Sequence, residues 1–219
     1  MLAFAFAEPA DGSDDALDVL NRLPRVDSDA SLVYSLRISL DGAKPPVWRR
    51  LLVRSISLEL LHHVIQLAMG WHDSHLHGFD VCNVRVPLVE DGAAIDERGI
   101  SIAQLQAAGI KKLRYIYDFG DDWKHTILIE NASESLRNPV YPQCVAGKGA
   151  CPLEDVGGVR QWSGLLESLQ HPDRGLGGEL EALLDRVGKG YAPPSFDVEK
   201  INLRLQKAFN KRIRVDERA

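Results

Sequence analysis

This sequence has few cysteines, no long apolar run and no basic leader. Its three cysteines, at positions 82, 144 and 151, are an odd number without C-x2-C spacing, so neither a disulfide framework nor a cysteine-based zinc site is predicted. No stretch approaches the ~18 apolar residues that cross a bilayer. The apolar start also lacks the basic residues of a signal peptide. These absences predict a cytoplasmic protein with no membrane partner.

Positive charge is also scarce. The 219 residues carry 26 basic and 31 acidic side chains, a formal net charge of -5 at pH 7, which excludes a protein that coats nucleic acid or anionic membrane with its whole surface. Seven of the acids lie in residues 1–30, which are predicted to be a mobile acidic arm that folding does not need, with one short helix around residues 16–23. Residues 31–210 are predicted to form a single domain, and residues 211–219 a basic C-terminal tail.

Hydrophobic periodicity predicts the first half of the domain. Residues 32–40 and 47–53 alternate apolar and polar side chains, which is typical of half-buried strands, and the two are predicted to pair antiparallel. Residues 57–69 follow a helical pattern that is apolar over most of its circumference. Ser57 is the expected N-cap of this helix, and Gly70 is the expected left-handed residue at its end. The helix is therefore predicted to be central.

The second half of the domain is predicted to contain a hairpin, a loop and helices. Residues 113–118 and 123–130 alternate with a period of two and are predicted to form a hairpin. Residues 131–158 hold prolines and glycines that predict a long loop. Further helices are predicted at residues 101–108, 162–170, 178–187 and 197–210. Hairpin links followed by helices favour an α+β fold, with a curved antiparallel sheet, a central helix and C-terminal helices packed on it.

Several motifs follow one another in a fixed order. They are PPVWRR (45–50), LHHVIQ (61–66), GWHDSHLHGF (70–79), YDFGDDWKH (117–125), CPLEDVGG (151–158) and FDVEKIN (196–202). Together they closely resemble the plasmid pRiA4b Orf3-like family, also labelled the IS1096 passenger or "TnpR" family, over residues 32–205. The resemblance implies the family's fold and a plasmid or mobile-element context, and it implies no particular reaction. The chain departs from the family at Leu153, where a second proline is usual.

Histidine is concentrated in residues 70–79, which hold three of the chain's seven histidines. If the second half of this segment is extended, His75 and His77 point to the same side as the apolar side chains. His125 shares a strand face with Trp123 in the same way. Such groups cost free energy to bury unless they are paired, so we expect them to meet in one pocket with acids from the long loop. The predicted pocket residues are His63, Gln66, Trp71, His75, His77, Asp118, Asp121, Trp123, His125, Glu154 and Asp155.

Three functions are consistent with these residues. The favoured interpretation is a non-enzymatic binding or accessory protein of plasmid or mobile-element type. A second is a metal-dependent hydrolase or nuclease, with His75, His77 and His125 holding a divalent metal and Asp121 or Glu154 as general base. A third is a structural module for protein interaction. The alternative interpretation of the histidines is that neighbouring carboxylates or carbonyls accept their hydrogen bonds. The sequence therefore decides neither whether the chain is an enzyme nor whether it binds a metal.

Basic residues are concentrated near the C-terminus. Six positive charges and no acid lie between residues 200 and 214. This pattern is typical of a solvated helix face, and the functional alternative is a surface that contacts nucleic-acid phosphates. Two classes of partner, nucleic acid and protein, stay open. The candidate phosphate-contact residues are Lys200, Arg204, Lys207, Lys211 and Arg212.

Two smaller predictions concern single residues. Arg49 lies on a predicted strand, and it is expected to pair inside the protein with Asp118 or Glu154. In the triplet that Asp118 begins, Gly120 is expected to take the turn position with a positive φ. The aspartates of the turn are expected to accept hydrogen bonds from their own backbone.

Overall fold

The computed structural model describes residues 13–26, 32–90, 93–134, 140–171, 178–188 and 190–216. The strands of this described chain are β1 (Leu32–Leu40), β2 (Trp48–Val53), β3 (His77–Val81), β4 (Val84–Val86), β5 (Leu88–Glu90), β6 (Ala93–Ile95), β7 (Lys112–Tyr117), β8 (Trp123–Glu134) and β9 (Gln143–Lys148). Seven of them form one antiparallel sheet in the order β4-β3-β7-β8-β1-β2-β9, and β5 pairs with β6 in a second, small sheet.

Helices complete the fold. They are α1 (Ser13–Asn21), α2 (Leu58–Met69), α3 (Ile102–Ala107), α4 (Gly158–Gln170), α5 (Gly178–Val187) and α6 (Val198–Asp216). The last of these packs against both α2 and β9. The predicted α+β fold with an antiparallel sheet is therefore confirmed. Within the described ranges, none of the helices is both long and apolar enough to cross a membrane.

Helix α2 lies at the centre of the core, because apolar side chains surround most of its axis. Leu61 and Ile65 are completely buried. The Ser57 hydroxyl oxygen accepts the N–H of Leu60 at the start of the helix, and Gly70 ends the helix with a φ of 88°. The predicted cap, terminator and central position of this helix are all confirmed.

The inner face of the sheet carries large side chains against α2. Along β8, Trp123, His125 and Ile127 are completely buried and alternate with more exposed neighbours. Tyr115 on β7 and Phe79 on β3 are also completely buried. The predicted period of two holds on these strands because one face meets the core while the other meets solvent.

The prediction of an unbroken loop over residues 131–158 is wrong. Strand β8 continues to Glu134, and β9 pairs with β2 at the edge of the sheet. Glycine replaces the usual β-forming side chain at Gly147, because a Cβ there would lie 2.8 Å from the Trp48 carbonyl oxygen and 2.4 Å from the Phe196 ring. Close tertiary packing of this kind conceals a strand from periodicity arguments.

Arg49 connects α2 to the sheet through the backbone. Its Nε donates to the carbonyl oxygen of Ala68 at 3.2 Å, and its Nη atoms donate to the carbonyl oxygens of Trp48, Lys148 and Gly149 at 2.9 to 3.1 Å. The side chain is buried. The predicted ion pair with an acidic side chain is wrong, because the guanidinium donates to backbone carbonyl oxygens instead.

Part of the acidic N-terminal segment contacts the core. Helix α1 matches the predicted short helix, and Leu20 on it is 6% exposed within the hydrophobic core. Leu17 and Leu23 are partly buried against the same core. The composition of residues 1–30 did not predict this contact.

We expect a chain that begins at Ser31 to fold but to melt about 5 °C lower, because it loses the burial of Leu20 and the partial burial of Leu17 and Leu23. Thermal unfolding followed by circular dichroism measures this. Leu20→Ala in the full chain is the matched variant, and it should reproduce most of the decrease. An unchanged melting temperature, or a chain that no longer folds, would contradict the expectation.

Candidate functional site

The candidate site lies where the C-terminal end of α2 meets the loop after β7 and the loop that precedes α4. The Trp71 indole stacks on the Tyr117 ring with 5.0 Å between centroids. Its Nε1 donates to the carbonyl oxygen of Pro152 at 3.0 Å, and the Asp118 N–H donates to the carbonyl oxygen of Leu76 at 2.9 Å. Beside these contacts opens a groove of about 250 Å³, lined by His63, Gln66, Leu67, Trp71, His72, Asp73, Ala208 and Phe209.

A chain of hydrogen bonds forms the buried wall of the site. The Gln66 side-chain amide donates to the Tyr115 hydroxyl at 3.0 Å, and this hydroxyl lies 2.8 Å from Nδ1 of His62. Because the hydroxyl accepts from Gln66, its own proton is available for Nδ1 of His62. His62 then carries its proton on Nε2 and donates it to Asp73, whose Oδ1 lies 2.7 Å away. The chain therefore holds His62 neutral and in one tautomer.

The ring of His62 also stacks on the ring of His77. The centroids are 3.5 Å apart and the rings are almost parallel, at 3°. Burial, together with the nearby charge of His77 when protonated, lowers the pKa of His62 to about 4, although the Asp73 carboxylate acts in the opposite direction. Nε2 of His77 faces the Glu97 carboxylate at 3.1 Å. His77 is thereby positioned by Glu97 and turned towards His62.

Glu154 holds the exposed wall of the site. Its Oε1 accepts the Tyr117 hydroxyl at 2.5 Å, and its Oε2 lies 2.7 Å from Nδ1 of His72. The backbone N–H of His72 also donates to this carboxylate at 3.1 Å. Burial raises the pKa of Glu154, but the hydrogen bonds from Tyr117 and His72 outweigh it and leave the pKa below its usual value. Both oxygens of this carboxylate are engaged.

His75 faces two carboxylates without a hydrogen bond. Its Nε2 lies 3.2 Å from Asp155 Oδ1 and 3.7 Å from Asp118 Oδ2. The short distances are not matched by hydrogen-bond geometry, and Nε2 is a buried atom without a hydrogen-bond partner. These three side chains bring an imidazole nitrogen and two carboxylate oxygens within 4.8 Å of one another.

The turn between β7 and β8 fixes the orientation of Asp118. Its Oδ1 accepts the N–H groups of Gly120 at 2.9 Å and Asp121 at 3.3 Å, as predicted for an aspartate that satisfies its own turn. The residues with a positive φ are Asp118 and Asp122, so the expectation for Gly120 is wrong. Aspartate tolerates the left-handed conformation because its side chain bonds the local backbone.

A second group of ligand-type atoms is formed by His62, His63 and Asp73. His63 Nδ1 lies 3.4 Å from Asp73 Oδ2. In this group, however, Nε2 of His62 already donates to Asp73. The group around His75 is therefore the better candidate for an added ligand, because its nitrogen has no competing hydrogen bond.

The structure does not bring the three predicted metal ligands together. Among the described residues, the groups with three ligand atoms within 4.8 Å include His75 but neither His77 nor His125. His77 is turned to Glu97. His125 is completely buried on the inner face of β8, where its Nδ1 donates to the carbonyl oxygen of Trp123 at 2.9 Å, and burial lowers its pKa to about 4.

The other predicted pocket residues lie at different places around the site. His63, Gln66 and Trp71 line the groove, and Trp123 lies completely buried beneath it, with its ring centroid 5.9 Å from that of Trp71. Asp121 accepts the N–H of Gly157 at 3.0 Å and so joins the β7–β8 turn to the start of α4.

Six residues that contribute to the hydrogen-bond networks are absent from the predicted pocket: His62, His72, Asp73, Glu97, Tyr115 and Tyr117. Tyr115 and Tyr117 lie on the inner face of β7, where a period of two could have indicated them. His62 and Asp73 flank predicted residues in the sequence, but their pairing across the end of α2 depends on tertiary packing. Glu97, in the turn Glu97–Gly99, had no signal in the sequence.

The basic residues of α6 differ in their exposure. Arg204 is half-buried, and its guanidinium covers Gly70, where an added Cβ would lie 2.7 Å from its Nη1. A cation at the C-terminal end of α2 is favourably placed in the helix dipole. Lys200 and Lys207 are exposed. The side chains of Lys211 and Arg212 lie outside the described residues.

The chain is similar in sequence and in structure to known proteins. A family model described as plasmid pRiA4b ORF-3-like protein matches residues 32–202. A protein of Sinorhizobium fredii, "Uncharacterized protein y4hQ", is 38% identical over 145 residues, which cover 64% of this chain and 74% of that protein. The crystal structure of MM3350, a protein of unknown function from Methanosarcina mazei Go1, is similar with a TM-score of 0.66 and 29% identity, over 80% of this chain and 98% of that one.

Proposed function

The chain belongs to the plasmid pRiA4b ORF-3-like family, and from this starting point we propose that it is a binding protein whose site takes a divalent metal cation on His75, Asp118 and Asp155. The observation that carries the proposal is the buried Nε2 of His75, which has no hydrogen bond and faces two carboxylate oxygens. If Nε2 is unprotonated, its lone pair faces negative charge. A cation between these three groups removes that repulsion and gives the nitrogen a partner.

The donor set indicates which metals fit. One imidazole and two carboxylates suit manganese, iron or zinc better than a soft metal that prefers sulfur. Asp118 is already oriented by its bonds to the β7–β8 turn. Asp118 and Asp155 both have a positive φ, at 55° and 58°, and such backbone conformations are concentrated at functional sites. Three protein ligands leave further coordination positions for a bound molecule.

The engagement of Glu154 supports binding over hydrolysis. A general base needs an oxygen free to take a proton from water. Both oxygens of Glu154 accept hydrogen bonds from Tyr117 and His72, and Asp121 accepts the Gly157 N–H. Of the two acids predicted as general bases, Glu154 therefore has both oxygens engaged and Asp121 has one. The proposed context is that of an accessory protein of mobile elements, which the family description supports by naming a plasmid.

Cytoplasmic location is part of the same proposal. Cys82, Cys144 and Cys151 are free thiols, and burial raises the pKa of all three thiols. Thiols in this state persist where the surroundings are reducing.

We expect protein purified without a histidine tag to bind Mn²⁺ or Zn²⁺ with near 1:1 stoichiometry in isothermal titration calorimetry. Asp155→Asn should weaken the binding at least about tenfold, because it removes one of three charged or basic donors. The Asp155 side chain is 67% exposed, so this variant should keep its fold. His75→Ala should abolish the binding, and His171→Ala, at an exposed histidine outside the site, is the matched control.

Metal binding should also raise the melting temperature, because a ligand that binds the folded chain stabilises it by about 2.7 kcal/mol at a concentration one hundred times its Kd. Wild-type protein that takes up less than a tenth of an equivalent of either metal would refute the proposal. So would His75→Ala protein that binds metal like the wild type.

A further inference from the structure

The outer face of the large sheet, opposite α2, is rich in positive charge. Along β8 the outward side chains include Lys124 and Leu128, which are 49% and 38% exposed. The outward positions of the described strands in this sheet hold two carboxylates, Asp80 and Glu130. The same face holds seven cations: Arg37, Arg50, Arg85, Lys112, Arg114, Lys124 and Lys148. Two further carboxylates, Asp41 and Asp122, contact this face from adjoining turns, at Thr126 and Lys124. The face still holds more cations than carboxylates, although the whole chain carries a net charge of -5.

The strand register arranges three of these cations in a row. Lys112 pairs with Leu128, which pairs on its other side with Arg37, and Arg37 pairs with Arg50. Neighbouring strands are about 4.8 Å apart, so this row crosses the middle of the sheet over about 14 Å. Cations spaced along an extended path match the repeating phosphates of a nucleic-acid backbone.

An aromatic ring lies beside the row. Trp48 is half-buried on the outer face of β2, with the Arg37 guanidinium 4.6 Å and the Arg50 guanidinium 5.8 Å from its centroid. Arg50 is itself positioned by two hydrogen bonds of 2.8 Å to the Glu130 carboxylate. Bases stack on indole rings and on guanidinium planes, and open antiparallel sheets provide such stacking platforms.

From this juxtaposition we propose that the outer face of the sheet binds single-stranded nucleic acid, with phosphates along the row of cations and a base stacked at Trp48 and Arg37. A single strand fits better than a duplex, because the major groove is about 12 Å wide and a seven-stranded sheet spans about 30 Å. The proposal concerns the face opposite the metal site and does not depend on it. It also differs from the predicted contact through α6, because Lys200 and Lys207 lie on another element.

The test is fluorescence anisotropy with a labelled oligothymidylate of about 12 nucleotides, recorded with and without EDTA. We expect binding that weakens as salt rises from about 50 to 200 mM, with a slope of log K against log salt near -3 if four or five phosphates are contacted. Arg37→Glu combined with Lys112→Glu should weaken the binding more than about tenfold. Trp48→Ala should weaken it about 5- to 100-fold, and Trp48→Phe, which keeps a stacking ring, should restore most of the affinity.

The matched control is Lys200→Glu combined with Lys207→Glu, which reverses the same number of charges on α6 and should leave the affinity within about twofold, since those lysines do not face the proposed strand. Thermal melting of each variant establishes that it is folded. Loss of binding in the α6 variant with full binding in the sheet variant would overturn the proposal. Tighter binding of a duplex, or binding to anionic lipid vesicles with none to the oligonucleotide, would overturn it as well.

Discussion

Acidification from pH 7 to pH 5 should destabilise this protein by about 2 kcal/mol for each of two buried histidines. Burial lowers the pKa of His62 and His125 to about 4, from an ordinary value of 6.5. Both side chains are almost or completely inaccessible to solvent, so solvent screening does not cancel the effect. Protonation of either ring would place a charge in the core beneath the site.

Acid destabilises the folded chain because the unfolded chain binds protons at a higher pH. Below pH 6.5 the unfolded chain protonates these histidines, whereas the folded chain resists protonation until the pH approaches 4. The contribution to stability is therefore complete above pH 6.5, decreases as the pH falls, and levels off near pH 4. Urea unfolding at a series of pH values between 7.5 and 5 measures the decrease, in a range above the ordinary pKa of aspartate and glutamate.

Histidine variants distinguish the contribution of His62 and His125 to the pH dependence from that of other titrating groups. His125→Gln should remove about half of the pH dependence, because glutamine does not titrate, even though the variant itself is less stable at pH 7. His171→Gln, at an exposed position, should leave the pH dependence unchanged. A double variant, His62→Gln with His125→Gln, that kept the full wild-type slope would show that other groups cause the acid sensitivity.

Replacement of Arg49 by methionine should lower the free energy of unfolding by about 4 kcal/mol, which corresponds to a melting temperature lower by about 10 °C. The guanidinium donates to four backbone carbonyl oxygens, which belong to α2, to β2, and to the last residue of β9 and the glycine that follows it. Methionine fills a similar volume but donates no hydrogen bond. It would leave buried carbonyl groups unsatisfied where three parts of the fold meet, including one in the last turn of α2.

The neighbouring arginine is the matched control. Arg50 lies on the same strand with its side chain on the opposite face, and its partner is the part-exposed carboxylate of Glu130. Arg50→Met should therefore cost less than about 1 kcal/mol. Arg49→Lys should fall between the two, because one ammonium group cannot reach carbonyl oxygens that a planar guanidinium bonds from separate nitrogens. Equal losses from Arg49→Met and Arg50→Met would contradict this account of Arg49.

Much of the fold could be predicted because its signals are local. Ser57 and Gly70 bound α2 through contacts within a few residues. The alternation along β1 and β8 follows from one face of each strand being buried. Strand β9 escaped prediction because its residues include Gly147, where close packing of Trp48 and Phe196 leaves no room for a side chain.

The sequence predicted which residue types gather at the candidate site, but it did not predict which of them contact one another. The sequence by itself determined that histidines and acids would be concentrated at the end of α2 and around the β7–β8 turn, because each group had to be satisfied or exposed. Only the tertiary structure decided that His75 faces Asp118 and Asp155, while His77 and His125 are committed elsewhere. Periodicity assigns a side chain to a face of its own element, but which group it meets there depends on the register and packing of elements that are distant in sequence.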